Sequence, residues 1–214
     1  DKIVLDPFAG VGTVPLAAKR LGKQGIGIEL NPGFAGVGRR RCEERTLFDM
    51  PAGGAVIHTA NALDLDKYVD DGSVDLVITS PPYWDILTQK RTADYKQIRN
   101  YGEQDGDLGR IADSQDFLDC LSAIFARVHV AMRAGAYCCV IVMDLRKKSK
   151  FYPLHSDVAS FMQALGFIYD DVIIWDRRHE YNNMRPLGYP SVFRVNKAHE
   201  FILLFQKPWQ SQHQ

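Results

Sequence analysis

The stretch Asp6-Pro7-Phe8-Ala9-Gly10-Val11-Gly12-Thr13 (DPFAGVGT) decides the fold, because it joins an apolar run to a helix-forming segment through a glycine turn. Glycine reaches backbone angles that other residues avoid, so Gly10 and Gly12 allow a tight turn and a close approach of the backbone to a ligand. The complete G-x-G-x-x-G spacing is missing, since Pro15 stands where the third glycine would fall. The turn therefore predicts a nucleotide-type ligand and argues against NAD or FAD.

Strand-like apolar runs alternate with helix-period segments along the rest of the chain. This alternation predicts an α/β fold with a mostly parallel sheet and helices on both faces. Because no repeat, linker or low-complexity tract interrupts it, we expect one domain over residues 1–214. The predicted strands are 2–5, 25–30, 55–59, 74–79, 136–143, 167–175 and 200–206, and the predicted helices are 13–21, 32–45, 114–133 and 154–165.

Two long polar segments, 85–113 and 177–198, do not fit the alternation. Both follow predicted strands, and both are rich in Arg, Lys, Tyr and Asn. Loops of this length inside a domain usually carry function or are disordered. Open α/β sheets bind their ligands at the carboxyl ends of the strands, so we expect the two segments to flank the functional site.

Two further features follow strand ends. Glu29 ends the second predicted strand, where a carboxylate can accept hydrogen bonds from ribose hydroxyls. Ile78–Trp84 (ITSPPYW) follows the fourth and places a hydroxyl, two prolines and two aromatic rings at its tip. Proline fixes φ and restricts the preceding residue, so Pro81 and Pro82 hold the direction of the backbone there. Taken alone, each feature could be an ordinary structural turn, but their combination favours a site.

The glycine turn, the segment GIELNP around Glu29, and Asn61-Ala62-Leu63-Asp64 resemble the cofactor segments of class I methyltransferases, which bind S-adenosylmethionine (AdoMet). That family has a Rossmann-like α/β fold with a seven-stranded, mostly parallel sheet whose last strand is antiparallel. The resemblance implies AdoMet as the cofactor. The residues it assigns to cofactor binding are Asp6, Pro7, Phe8, Ala9, Gly10, Gly12, Thr13, Glu29, Leu30, Asn61, Ala62 and Ser80.

Ser80-Pro81-Pro82-Tyr83 resembles the catalytic [Asp/Asn/Ser]-Pro-Pro-[Tyr/Phe/Trp] motif of the DNA amino-methyltransferases. The resemblance implies that these four residues are catalytic. An exocyclic amine is a poor nucleophile because its lone pair is delocalised into the ring. Two acceptors, Ser80 Oγ and the Pro81 carbonyl, can hold its N–H bonds in the geometry of the transition state. Tyr83 offers a flat face for a base that is flipped out of the duplex.

The same resemblance favours cytosine N4 in DNA as the methyl acceptor, because Ser before Pro-Pro is more frequent in N4-cytosine enzymes. Adenine N6 is the first alternative. An RNA N2-guanine methyltransferase is less favoured, since Ser80 and Trp84 depart from its usual Asp and Gly, and Ser80 argues against a protein-glutamine methyltransferase. A binding module without catalysis is the alternative from another class, and the intact SPPY argues against it.

The order of the motifs departs from many SPPY enzymes, in which the glycine motif follows SPPY. No separate target-recognition domain is visible, and the chain begins at Asp1, directly before a strand. We therefore expect either a permuted arrangement or further residues upstream. The basic and polar residues of the long segments and of the fifth strand end are predicted to contact DNA. This set comprises Trp84, Lys90, Arg91, Arg146, Arg177, Arg178, Tyr181, Asn182 and Arg185.

Composition limits the remaining possibilities. Lys+Arg and Asp+Glu both number 26, so a nucleic-acid surface has to be local rather than a basic coat. The four cysteines show no metal or disulfide spacing and indicate buried thiols in a reducing compartment, and the six histidines show no metal spacing either. No apolar run is long enough to span a membrane. We expect a cytoplasmic protein without a metal, with DNA as its partner and a homodimer as an open possibility.

Overall fold

The helices and strands alternate along the chain as the sequence predicts. A computed structural model describes residues 2–44, 53–84, 106–147, 149–179, 186–187, 194–195 and 197–209. The strands are β1 (Ile3–Asp6), β2 (Gln24–Glu29), β3 (Gly54–Thr59), β4 (Val74–Thr79), β5 (Met132–Val142), β6 (Leu145–Lys147), β7 (Lys150–Tyr152), β8 (Ile168–Asp176), β9 (Pro186–Leu187), β10 (Arg194–Val195) and β11 (His199–Gln206). The α-helices are α1 (Thr13–Arg20), α2 (Pro32–Glu43), α3 (Ser114–Ala131) and α4 (Leu154–Ala164), and short 3₁₀ helices cover Ala62–Lys67 and Leu108–Arg110.

The central sheet has seven strands in the order β3-β2-β1-β4-β5-β11-β8. β1, β2, β3, β4 and β5 pair in parallel, whereas β11 runs antiparallel to both β5 and β8. This confirms the predicted seven-stranded Rossmann-like sheet with one antiparallel strand. Because β11 is reversed, its first residues lie at the same edge as the carboxyl ends of the parallel strands.

Strand β5 begins earlier than the sequence predicts, at Met132 instead of residue 136, and α3 therefore ends at Ala131. The added part is irregular. The register between β4 and β5 shifts from the pair Val74–Met132 to the pair Leu76–Tyr137. Gly135 accounts for the irregularity, because its φ is +76° and its amide donates to the carbonyl of Lys207 at the end of β11.

Helix α2 shows how packing overrides local propensity. Asn31 caps its start, where Oδ1 accepts hydrogen bonds from the amides of Gly33 and Phe34. Its glycines weaken a helix in isolation. At Gly38, however, a Cβ would lie 2.5 Å from Ile57 Cδ1 and 3.1 Å from the carbonyl carbon of Val11. The glycine therefore lets α2 pack directly on the turn that follows β1.

The helices cover both faces of the sheet. The larger buried cluster contains the inner faces of α3 and α4, with Phe117, Phe125 and Met162 fully buried. A second cluster lies under α1 and α2 and includes Leu16, Ala35, Cys42 and Ile57. Of the predicted buried thiols, Cys42 and Cys138 are buried, whereas Cys120 and Cys139 are half-buried. Within the described ranges, no helix combines the length and the apolar character that crossing a membrane requires.

Small hairpins extend the sheet edge where the parallel strands end. β6 and β7 form a two-stranded antiparallel hairpin directly after β5, and β9 pairs with β10 inside the predicted loop 177–198. The sequence does not predict either hairpin. At the outer edge of the large sheet, β8 leaves the apolar side chains of Ile168, Ile173 and Ile174 exposed. The homodimer stays a prediction.

Candidate active site

Gly10 and Gly12 both lie in the left-handed backbone region, with φ of +53° and +78°. A Cβ on Gly12 would approach Ile57 Cδ1 to 2.5 Å and the Cα of Gly38 to 3.2 Å, so this glycine is needed for close packing. At Gly10 the situation is the reverse. Apart from Gly10 and its two neighbours in the chain, no heavy atom of the described residues lies within 4 Å of the place that a Cβ would take. The turn is therefore closed on the helix side and open at Gly10.

Glu29 faces this open turn from the end of β2. Its Oε2 accepts a hydrogen bond from the Gly10 amide and its Oε1 accepts one from the Asn31 amide, both at 2.7 Å. Burial raises the pKa of Glu29, the two backbone hydrogen bonds act in the opposite direction, and the charge of Asp107 adds to the increase. The carboxylate is thus fixed in direction and retains lone pairs for a hydroxyl donor.

Asp6 connects the glycine turn to the SPPY motif. Asp6 is 5% exposed, and its Oδ1 accepts hydrogen bonds from the Phe8 amide at 3.0 Å and from the Thr79 hydroxyl at 2.7 Å. Thr79 is the last residue of β4 and directly precedes Ser80. Burial raises the pKa of Asp6 from 3.8 to about 6, and the charge of Glu29 contributes to the increase. The two motifs, separated along the chain, therefore share one buried carboxyl group.

Asn61 lies on the other side of Glu29, just after β3. Its Oδ1 accepts a hydrogen bond from the Leu63 amide at 2.9 Å and so caps the first 3₁₀ helix. A Cβ on Gly106 would lie 2.5 Å from Nδ2 of Asn61. Gly106 therefore lies directly against the side-chain amide of Asn61, a contact that the sequence does not predict.

The remaining residues predicted for the cofactor line the same turn and strand ends. Ala9 is buried, and its amide donates to the Ile28 carbonyl at 2.9 Å, which holds the turn against β2. Pro7 and Ala62 are buried, Phe8 and Leu30 are half-buried, and Thr13 is exposed at the start of α1.

The residues present fit AdoMet. This cofactor carries a positive charge on its sulfonium and another on its amino group, together with two ribose hydroxyls that donate hydrogen bonds. Asp6 and Glu29 supply negative charge beside an open glycine turn, and the opposite charge of a bound cation offsets the cost of burying carboxylates. A dianionic pyrophosphate would face the same two carboxylates with like charge, which agrees with the missing third glycine.

The SPPY motif follows β4 at the same sheet edge. Ser80 is exposed and Tyr83 is half-buried. Ser80 Oγ lies 3.1 Å from the Tyr83 hydroxyl, which in turn lies 3.5 Å from Oε2 of Glu200. Glu200 is 3% exposed at the start of β11. Glu200 is not among the residues that the sequence predicts for the site, although a charged residue near the start of an apolar strand is a signal that could have marked it.

Arg177 lies deeper in the site than Arg178, which is also predicted to contact DNA. The sequence predicts that Arg177 contacts DNA, but its guanidinium pairs with the buried Glu200 and lies 4.6 Å from the ring centroid of Trp175. Its side chain is only 18% exposed. Arg177 is therefore part of the interior of the site. Arg178 is exposed and forms a two-pronged ion pair with Asp176, through Nε at 2.8 Å and Nη2 at 2.6 Å to Oδ2.

Trp84, also predicted to contact DNA, is buried in this structure. The residue is 5% exposed, and its Nε1 donates to the Ile111 carbonyl at 2.7 Å. The ring packs edge-on against Tyr152 of β7, and Lys147 Nζ lies 3.2 Å from the ring centroid. Among the described non-glycine residues, Trp84 alone has a positive φ, at +49°. The strained residue after SPPY is thus anchored beneath the β6–β7 hairpin.

The β6–β7 hairpin presents basic side chains at this edge. Arg146 is exposed and lies over the ring of Phe151 at 5.3 Å, and Lys150 lies 4.8 Å from the ring of Tyr152. At the base of the hairpin, Asp144 is buried and pairs with His155 and Lys197 at 2.6 and 3.2 Å. The predicted DNA residue Arg146 is therefore on a supported, exposed element.

The other predicted DNA contacts, Lys90, Arg91, Tyr181, Asn182 and Arg185, lie outside the described residues. For the part of the chain that the structure does describe, no group of three or more His, Cys, Asp or Glu side chains could hold a metal ion.

The strand order, the reversed β11 and the glycine turn at the carboxyl edge define the class of AdoMet-dependent methyltransferases with a Rossmann-like fold. A family model described as DNA methylase, for enzymes that modify N6 or N4, matches residues 1–38 and 74–212. The chain therefore belongs to the N6/N4 DNA methylase family, whose cofactor is AdoMet.

Individual relatives agree with this assignment. The type II methyltransferase M.MjaI of Methanocaldococcus jannaschii is 24% identical over 155 residues, which cover 65% of this chain and 51% of the relative. The chain thus spans about half the length of this curated relative.

Solved structures share the fold. A SAM-dependent methyltransferase of Methanosarcina mazei superposes with a TM-score of 0.62 at 16% identity, over 98% of this chain and 94% of that chain. TrmN from Thermus thermophilus gives a TM-score of 0.54 at 14% identity, over 96% of this chain and 44% of that chain. At these identities the likeness concerns the fold alone.

Proposed function

We propose that the protein transfers a methyl group from AdoMet to an exocyclic amine of a DNA base, and that this amine is cytosine N4. The observation that carries the proposal is the junction at Asp6, whose one carboxyl group contacts both the glycine turn and Thr79, the residue before Ser80. A cofactor held at the turn and a base held at SPPY would meet at this junction. Family membership supports the reaction class.

The cofactor residues follow from the geometry of the turn. Glu29 would accept the ribose hydroxyls, since its two oxygens are already oriented by the amides of Gly10 and Asn31. Asp6 and the open face at Gly10 would lie along the methionine part, and Asn61 with Ala62 would border the adenine. When bound, AdoMet supplies an electrophilic methyl group on its sulfonium sulfur.

The SPPY residues would act by positioning. Ser80 Oγ and the Pro81 carbonyl would accept the two N–H bonds of the amine, which favours a pyramidal nitrogen with a localised lone pair. Pro82 keeps the backbone stiff, and the ring of Tyr83 provides a stacking surface for a flipped base. No strong base is needed, because the nitrogen becomes acidic once it has been methylated and its proton then passes to solvent.

Cytosine is proposed over adenine because of Ser80. The amine of either base lies beside a ring nitrogen that accepts hydrogen bonds, so the two edges present similar chemistry. The choice rests on the resemblance of SPPY to the N4-cytosine enzymes, and adenine N6 is the outcome that would replace it.

Substitution of the predicted acceptor tests the reaction. Ser80→Ala should lower turnover on the order of a hundredfold, as loss of one preorganised transition-state contact does. AdoMet affinity should stay within a few-fold, since Asp6 and Glu29 are retained. The measurement is transfer of a tritiated methyl group from AdoMet to unmethylated DNA, with RNA as a second acceptor and calorimetry for cofactor binding.

Ser160→Ala is the matched control. Ser160 is exposed on α4, and its hydroxyl donates only to the Ser156 carbonyl of the same helix. This variant should keep the turnover of the parent protein. A Ser80→Ala protein that is also fully active would exclude the proposed role of Ser80, and transfer to RNA without transfer to DNA would exclude the proposed substrate.

A further inference from the structure

Behind the SPPY motif lies a buried acid that the reaction scheme above does not use. The hydroxyl of Tyr83 contacts Ser80 Oγ at 3.1 Å on one side and Oε2 of Glu200 at 3.5 Å on the other. The other carboxylate oxygen of Glu200 pairs with Arg177. These four side chains form one continuous polar chain that leads from the exposed Ser80 into the protein.

The number of protons that each group can donate sets the direction of the hydrogen bonds along these side chains. A carboxylate only accepts hydrogen bonds, whereas each hydroxyl has one proton to donate and two lone pairs. If Tyr83 donates its proton to Glu200, its oxygen is left to accept the proton of Ser80. Ser80 Oγ then has its hydrogen turned inward and both lone pairs turned toward the open site. The 3.5 Å contact is long, but such contacts commonly shorten when substrate binds.

The acid is held on the pair of strands β8 and β11 rather than by a loop. Glu200 is the second residue of β11, where it is aligned with Trp175 of β8. The Arg177 amide donates to the Ala198 carbonyl at 2.8 Å, and its guanidinium stacks on the ring of Trp175. The guanidinium compensates the charge of a carboxylate that is only 3% exposed. Groups on rigid elements can orient a neighbouring side chain more precisely than groups on loops.

We propose that Glu200 is a positioning residue that, through Tyr83, makes Ser80 a pure hydrogen-bond acceptor for the target amine. A carboxylate at position 80 would accept from an amine without any such device. A serine hydroxyl has a proton that can point toward the amine and block acceptance. Glu200 supplies the negative charge that a serine lacks, and it acts through Tyr83, which lies between Glu200 and Ser80. This inference rests on the proposed function and specifies what its SPPY motif needs from β11.

Glu200→Gln should reverse the direction of hydrogen-bond donation, which in the parent protein runs from Ser80 through Tyr83 to Glu200. Glutamine has nearly the same shape and can still accept from Arg177, but it presents an N–H donor to Tyr83. Tyr83 then accepts from Gln and donates to Ser80, whose own proton is turned toward the amine. We expect kcat to fall by roughly tenfold or more, with the KM values for AdoMet and DNA within about twofold.

A double-mutant cycle separates this role from simple loss of packing. Tyr83→Phe removes the hydroxyl and keeps the ring. If Glu200 acts through that hydroxyl, then Glu200→Gln has no further effect on kcat in the Tyr83→Phe protein, whereas independent effects would multiply. Asp75→Asn is the control, because Asp75 pairs with Lys2 and Arg133 at the opposite edge of the sheet and should leave kcat unchanged.

A second readout needs no turnover. The ¹³Cζ resonance of Tyr83, assigned by its loss in Tyr83→Phe, reports whether the hydroxyl donates or accepts. It should shift in Glu200→Gln and stay in place in Asp75→Asn. An unshifted resonance, or equal kcat losses with and without the Tyr83 hydroxyl, would overturn the role of Glu200. A parent protein that transfers no methyl group, while the resonance shifts as expected, would instead count against the proposed function.

Discussion

At the scale of single residues, Asp6 links charge, stability and ligand binding. The carboxyl group is buried, and two hydrogen bonds to one oxygen do not offset the loss of hydration, so its pKa rises to about 6. Carboxylates that a protein buries at a cost are often binding groups, because a cationic ligand can offset the cost. Asp6 therefore has the character of a binding group whose burial cost is offset when a cationic ligand is bound.

The pH dependence of stability tests this interpretation. The pKa of Asp6 is higher in the folded protein than the ordinary 3.8. The free energy of unfolding therefore falls as the pH rises from about 3.8 to about 6, and it stays lower by the full amount above that pH. Asp6→Asn has no charge to bury. Without cofactor, the difference in unfolding free energy between variant and parent should shift by about 2 kcal/mol in favour of the variant between about pH 4 and about pH 8.

Urea unfolding at several pH values measures this difference. Any constant effect of the amide on Thr79 or Phe8 cancels in the comparison, since only the change with pH is used. The same variant should bind AdoMet more weakly at about pH 8, because it has lost a negative charge. A difference in stability that does not vary with pH would contradict the buried-charge interpretation.

At the scale of elements, the sequence predicts the parts of the site that depend on local order and misses those that depend on packing. The strand–turn–helix order locates Gly10 and Glu29, because glycine turns and strand ends leave a local pattern. The need for a glycine at position 38 leaves no local pattern, because it arises from the close contact of α2 with the turn after β1. Glu200 lies 117 residues from Tyr83, and only the reversal of β11 brings them together.

The β6–β7 hairpin was missed for a similar reason. Its strands have only three residues each, which is too few to show an alternation of apolar and polar residues. Its stability comes from contacts of Tyr152 and Lys147 with the buried Trp84. The sequence predicts Arg146 and Trp84 only as DNA contacts near strand ends, and the structure places Arg146 on the hairpin and Trp84 beneath it.

The hairpin provides a prediction about DNA affinity. Arg146→Ala combined with Lys150→Ala should weaken DNA binding and reduce the slope of log affinity against log salt by up to about 2, one for each lost phosphate contact. AdoMet affinity should be unaffected, because neither side chain is part of the glycine turn. The measurement is a fluorescence titration of labelled duplex at several salt concentrations.

Arg20→Ala combined with Lys23→Ala removes the same charge from the opposite edge of the sheet. Arg20 ends α1, Lys23 lies between α1 and β2, and both residues are exposed. If this control changes the salt slope as much as the hairpin variant does, DNA does not bind at the carboxyl edge and the placement of the interface is wrong.

At the scale of the whole molecule, the fold collects the chemistry at one edge. The parallel strands end there with Asp6, Glu29 and Thr79, the reversed β11 begins there with Glu200, and the basic hairpin follows β5 at the same edge. Carboxylates lie inside this edge and basic side chains lie outside. A cationic cofactor and an anionic nucleic acid can therefore be bound side by side by a chain whose net charge is zero.

Mass spectrometry of nucleosides tests the central claim most directly. The protein is incubated with AdoMet and unmethylated DNA, and the DNA is then digested and analysed. We predict N4-methylcytosine in the parent reaction and its loss in the Ser80→Ala reaction. N6-methyladenine in its place would keep the mechanism and contradict the assignment to cytosine, and the absence of any methylated nucleoside would contradict the account of this edge as an active site.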